Sequence, residues 1–142
     1  MTNVNARVFR FLAAAMLVGV IAACGDDDDP TGPRAGDAVL ITSGVAVTGI
    51  AGAEGSLKLY KIVVPAGATE LEVATSGGTG DADLWVRFNA VPTFDDFDCS
   101  SEGATNDEIC TQTSPQAGTW FILIEGWEAY SGLTLTATVT TP

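Results

Sequence analysis

Histidine is absent from the sequence, and that absence removes most hydrolytic chemistry at once. Serine and cysteine nucleophiles depend on an adjacent base, most often histidine. A zinc site built without it needs more cysteines than the three present. Basic side chains are also scarce, 6 against 18 acidic ones, for a net charge of −12. Nucleic-acid affinity rests on lysine and arginine neutralising phosphates, so nucleic acid is excluded as a partner. Long apolar runs are missing too. The run from Phe11 to Ala23 has 13 residues, short of the roughly 20 that a membrane-spanning helix requires.

That short run, with Arg7 and Arg10 before it, has the shape of an export signal. Its end, Ile21-Ala22-Ala23-Cys24, resembles a bacterial lipobox, in which the cysteine becomes the lipidated N-terminus. Residues 1–23 are therefore expected to be a lipoprotein signal peptide and Cys24 the lipid attachment site. Each buried lipid methylene is worth about 0.8 kcal/mol, so a multiply acylated cysteine anchors a protein almost permanently. Cleavage removes two basic residues and leaves a net charge of −14. Residues 24–37, with Asp26 to Asp29 followed by Pro30, Gly32 and Pro33, form an acidic tether that like charges keep extended. Gly25 after the lipid cysteine suits outer-membrane delivery, so the chain is expected to be exported and held at an outer membrane or cell surface.

From Ala38 the hydrophobic period is two. Tyr60, Ile62 and Val64 share one face, Leu71 and Val73 another, and Leu84, Val86 and Phe88 a third. Leu133, Leu135, Ala137 and Val139 alternate with threonines to the end. Thr119 to Glu125 is apolar on both faces and reads as a central strand. Glycine, proline and asparagine punctuate these runs. The pattern predicts an all-β fold, a small antiparallel β-sandwich or jelly roll of about seven to eight strands over residues 38–142. With Cys24 assigned to lipid, Cys99 and Cys110 remain as one pair in an exported chain, which predicts a disulfide.

These residues also resemble a known module. The order Val47-Thr48-Gly49-Ile50, Tyr60-Lys61-Ile62, Val64-Pro65-Ala66-Gly67-Ala68, Ser76 to Phe88, Asp98-Cys99, Cys110 and Pro115-Gln116-Ala117-Gly118-Thr119-Trp120 is similar to the bacterial pre-peptidase C-terminal domain. Gly126 and Tyr130-Ser131-Gly132-Leu133-Thr134-Leu135 continue the likeness, which runs from about Ala38 to Val139. The resemblance implies a β-sandwich appended to secreted peptidases and related to collagenase collagen-binding domains, which are calcium-stabilised mainly through an N-terminal linker. Here a signal and a tether precede the domain where a peptidase stands in the family, so a free-standing surface lipoprotein is expected.

Asp81 and Asp83 lie two apart at a glycine turn, so their side chains point the same way at the mouth of a strand. Calcium wants six to eight oxygens, and Asp95, Asp96, Asp98, Asn106, Asp107 and Glu108 are within sequence reach. Asp81 and Asp83 are thus candidate calcium ligands; equally, they could accept backbone N–H bonds within the turn. Alternation turns Trp85, Arg87 and Phe121 away from the core, and Trp127 and Tyr130 follow in the next turn. If that face is open, these five form a ligand-binding patch, since aromatic rings supply large contact area at little entropic cost. If a loop or the second sheet covers it, they are packing.

The function expected is a non-catalytic, membrane-tethered binding or adhesion module for an extracellular protein or an insoluble polymer such as a polysaccharide. The alternative is an accessory domain that assists a separately encoded secreted peptidase, possessing calcium for stability. A chaperone-like role resembling a cleaved pro-domain is a third reading. Carboxylate pairs could do glycosidase work, but a small sandwich offers no deep cleft for it.

Overall fold

The computed structural model describes residues 32–142. The expected signal peptide, the expected lipid site Cys24 and the aspartate run lie outside the described residues. After a single 3-10 turn at Ala35–Asp37, nine strands follow: β1 (Val39–Leu40), β2 (Val47–Gly52), β3 (Leu57–Val64), β4 (Glu70–Ser76), β5 (Ala82–Phe88), β6 (Cys99–Ser101), β7 (Glu108–Thr113), β8 (Gly118–Gly126) and β9 (Tyr130–Thr140). They form two sheets, ordered β1-β3-β8-β5-β6 and β2-β9-β4-β7. All pairs are antiparallel except the two-residue β1, which lies parallel to β3. The chain is an all-β sandwich, one or two strands richer than the periodicity predicts because β1 and β6 are too short to show an alternation.

The period-two reading places the core correctly. Ile62, Val64, Leu71, Val73, Leu84, Val86, Ile122, Ile124, Leu133, Leu135 and Ala137 are all buried between the sheets. β8 sits at the centre of the larger sheet, paired with β3 and β5. A central strand buried on both faces reads as a continuous apolar run, as Trp120 to Ile124 does.

Cys99 on β6 and Cys110 on β7 form the expected disulfide, with a Cα–Cα separation of 5.9 Å. β6 ends one sheet and β7 ends the other, so the bond staples the two layers at their shared edge. Both hydrophobic clusters and the disulfide lie within residues 38–142.

The outer face of the larger sheet is not open. Trp85 and Phe121 are 4% and 7% exposed. With Ala38, Leu59 and Leu123 they make a second cluster, against which Leu57 and Val91 pack. Phe94 meets Trp85 edge-on at 5.0 Å between centroids. The loop between β5 and β6 therefore folds back over the rings, and Ala38 closes the other side. Burying apolar area at about 25 cal/mol per Å² favours this cover over two displayed rings. Arg87 fastens the loop through an ion pair with Asp96 and a 3.4 Å bond from its Nη1 to the Val91 carbonyl. Tyr130 belongs to the main core and is 3% exposed. Of the five residues expected on an open patch, Trp85, Phe121 and Tyr130 are thus packed, Arg87 holds a loop, and only Trp127 is displayed.

Candidate functional site at the acidic corner

The turn Gly77–Gly80 enters β5 by stacking on the turn between β8 and β9. Thr79 and Ser131 exchange backbone N–H bonds of 2.9 and 3.0 Å, and the Glu128 N–H donates to the Asp81 carbonyl at 3.0 Å. Such close approach requires glycine. Gly80 has φ +93, and a Cβ built there would lie 2.1 Å from the Ala129 carbonyl oxygen. A side chain at this position meets both a left-handed backbone and a rigid neighbour, each worth on the order of 1–3 kcal/mol. Gly80→Ala is expected to lower Tm by roughly 10 °C or more in thermal unfolding, at about 4–8 °C per kcal/mol for a domain of this size.

The loop between β6 and β7 closes over the same turn. Asn106, 3% exposed, donates from Nδ2 to the carbonyls of Gly77 and Thr79 at 2.9 and 3.1 Å. Asp107 Oδ1 accepts the Gly77 N–H at 2.9 Å. Glu108, 4% exposed, accepts the Gly103 N–H at 2.6 Å and the Ser101 hydroxyl. Asn106 and Asp107 lie about thirty positions from the turn they hold, and nothing in the local pattern announces the pairing.

Asp81 and Asp83 lie within this corner but do not brace the turn. The Oδ1 atoms of both are buried and have no hydrogen-bond partner. The Gly77 and Thr79 N–H groups are instead taken by Asp107 and Ser131. Asp83 is 5% exposed. Burial, reinforced by Asp81, Glu102, Glu108 and Glu125, pushes its pKa up to about 7. Glu125 pairs across β8 with Asp83, and burial together with Glu102 raises its pKa as well. Among the described residues, no three His, Cys, Asp or Glu side chains group closely enough to hold a metal by themselves.

Beside this cluster lies a shallow pocket of about 340 Å³ lined by Glu54, Gly55, Glu125, Gly126, Trp127 and Glu128. Trp127 is 65% exposed. The corner thus offers one displayed indole, three glutamates around it and no basic residue in the lining. It suits non-covalent binding of a cationic or mixed polar group, and it presents no nucleophile with a base.

Comparison with known proteins agrees with this architecture. Over 116 residues the chain is 39% identical to alkaline serine exoprotease A of Vibrio alginolyticus, covering 82% of this chain and 22% of that relative. It therefore spans about a fifth of the relative's length. The solution structure of vEP C-ter 100 superposes with a TM-score of 0.59 at 30% identity, covering 70% of this chain and 98% of that one. The pre-peptidase C-terminal domain of the Bacillus anthracis collagenase matches in fold, with a TM-score of 0.58 at 9% identity over 75% of this chain and 98% of that one. Residues 57–126 match the model of the bacterial pre-peptidase C-terminal domain. The likeness is to this domain and not to the catalytic part of a peptidase, and the chain belongs to the bacterial pre-peptidase C-terminal domain family.

Proposed function

We propose that this chain is a non-catalytic binding module for an extracellular protein or another insoluble polymer, exported and held at a membrane through lipid on Cys24. The observation that carries the reading is Trp127. It is a large aromatic side chain left 65% exposed at the mouth of a pocket, in a fold that buries Trp85 and Trp120. Rings displayed in this way provide contact area with few rotamers to freeze, and tryptophan is prominent among binding hot spots. Glu54, Glu125 and Glu128 around the indole favour a ligand that brings cationic groups, which can also stack on the ring face. A protein chain meets that demand better than a neutral polysaccharide.

Co-sedimentation of residues 38–142 with insoluble collagen, chitin, cellulose and peptidoglycan tests the proposal. Saturable binding to one polymer is expected. Trp127→Ala should weaken it by about tenfold or more, as truncation of a central anchor does, without changing Tm by more than a degree or two. Binding to none of the four would overturn polymer recognition. The second reading, an accessory domain for a separately encoded secreted peptidase, is supported by the peptidase relative and would then be followed by affinity capture with such an enzyme.

A further inference from the structure

We propose that the outer edge of β7 is a docking site for an extended, basic segment of a partner protein, which joins the smaller sheet as a further strand antiparallel to β7. The two sheets end in β1, β6, β2 and β7. An unpaired edge is a template for pairing with another chain, and proteins blunt it with shortness, bulges, lysine or proline. Three of these ends carry such a device. β1 has two residues, one of them paired with Lys61, and β6 has three. The register of β2 against β9 is broken twice, around Gly49 with its φ of +73. β7 carries none: it runs six residues in unbroken register with β4 and contains no lysine, arginine or proline.

The main chain of that edge is unanswered beyond its start. The Ile109 N–H points away from β4 and donates to Ser101 Oγ at 3.3 Å. The Ser114 N–H points the other way, to the Thr69 carbonyl. Main-chain groups alternate from side to side along an antiparallel strand, so Thr111 and Thr113 also turn their N–H and C=O outward. Among the described residues nothing bonds to these groups. The links from β7 to the β6 side, the disulfide and a 3.3 Å bond from Gln112 to the Asp98 carbonyl, come from Cys110 and Gln112. Those side chains lie on the inner face, whereas Ile109, Thr111 and Thr113 are exposed on the outer one.

Charge selects the occupant. The strands of the smaller sheet contain no lysine or arginine. Glu70 and Glu72 stand on β4 across from Thr113 and Thr111, and the one ion pair among the described residues, Arg87 with Asp96, lies in the other sheet. A second copy of this chain would bring the same acids and a net charge of −12 to the edge, so like charges oppose self-pairing. A basic strand is attracted instead, its long side chains passing over the short threonines to the glutamates. Cross-strand neighbours set the pattern. Read antiparallel, the residues facing Thr113, Thr111 and Ile109 are basic, basic and apolar at i, i+2 and i+4. Main-chain bonds supply affinity and the alternate side chains specificity, as strand addition does elsewhere. The edge is separate from the Trp127 pocket and does not rest on it.

The test is an NMR titration of the whole 142-residue chain, in non-ionic detergent, with the end-capped peptide Ser-Lys-Thr-Lys-Thr-Val-Ser. Saturable shift changes centred on the Thr111 and Thr113 amides are expected, with slower hydrogen exchange at both. Thr111→Pro removes one outward donor, and proline is tolerated on an edge strand where the N–H faces solvent. That variant should keep its fold and bind about tenfold more weakly, the loss of roughly one hydrogen bond; Thr113→Pro carries the test if it does not fold. The peptide N-methylated at both lysines should lose at least as much, and its counterpart with glutamate for lysine should not bind. Absence of binding overturns the proposal, as does equal binding of the acidic peptide or binding undiminished by N-methylation and by both proline variants. Shifts centred on Trp127 overturn it too. A dimer that protects the Thr111 amide without peptide overturns the partner assignment, because a second copy then fills the edge.

Discussion

Trp85→Ala is expected to destabilise the domain by roughly 3–5 kcal/mol, the usual cost of truncating a buried tryptophan. In thermal unfolding that amounts to a loss of more than about 12 °C. The ring is 4% exposed and is the central member of the outer cluster, between Leu59, Phe121 and Leu123 on one side and Phe94 and Val91 on the other. Its removal leaves a void that the sheet cannot fill, because β5 is held in register by β8 and β6. It also releases the loop that Arg87 and Asp96 pin from above. Any loss of ligand binding by this variant would follow from unfolding. A variant that kept its Tm would show that the loop does not cover the ring in solution. Trp127→Ala provides the contrast: the same truncation at an exposed indole should leave Tm nearly unchanged.

Replacing Cys99 and Cys110 with alanine should cost about 3 kcal/mol, within the 2–5 kcal/mol range seen when a small exported domain loses its native bridge. Part of this is loop-closure entropy over a sequence separation of 11 residues. The position of the bond adds a second consequence. It ties the last strand of one sheet to the last strand of the other, and the loop it closes contains Asn106, Asp107 and Glu108. Its loss should therefore loosen the acidic corner before the rest of the sandwich. Hydrogen exchange should show earlier opening of the Gly77, Gly103 and Thr79 amides than of the amides in β8. Uniform loosening across both sheets would mean that the bridge acts only on the unfolded chain.

How far each feature was legible follows from the range of the interaction behind it. The sandwich was readable because a strand with one face on a core must alternate, and Leu57–Val64, Glu70–Ser76 and Tyr130–Thr140 do so almost without exception. The central strand was readable for the complementary reason, being apolar on both faces. The disulfide was readable from cysteine number once export was inferred. Alternation also placed Trp85 and Phe121 correctly on the side of the sheet away from the main core. What it could not decide was whether anything lay over that side. An outward apolar residue has the same period whether it meets water or a folded-back loop, and the loop carrying Val91, Phe94 and Asp96 has no periodicity of its own.

The acidic corner divides in the same way. Asp81 and Asp83 could be picked out from their spacing after a glycine turn, and Trp127 from its place in a turn. Only the folded chain brings Asn106 and Asp107 against that turn, buries Asp83 beside Glu125 and leaves buried carboxylate and amide oxygens without donors. Sequence by itself determined fold class, disulfide and family, since these rest on local alternation, residue count and ordered motifs. Tertiary structure alone decided which aromatics are core and which is displayed, because that depends on contacts between segments far apart in the chain, where burial competes against exposure residue by residue.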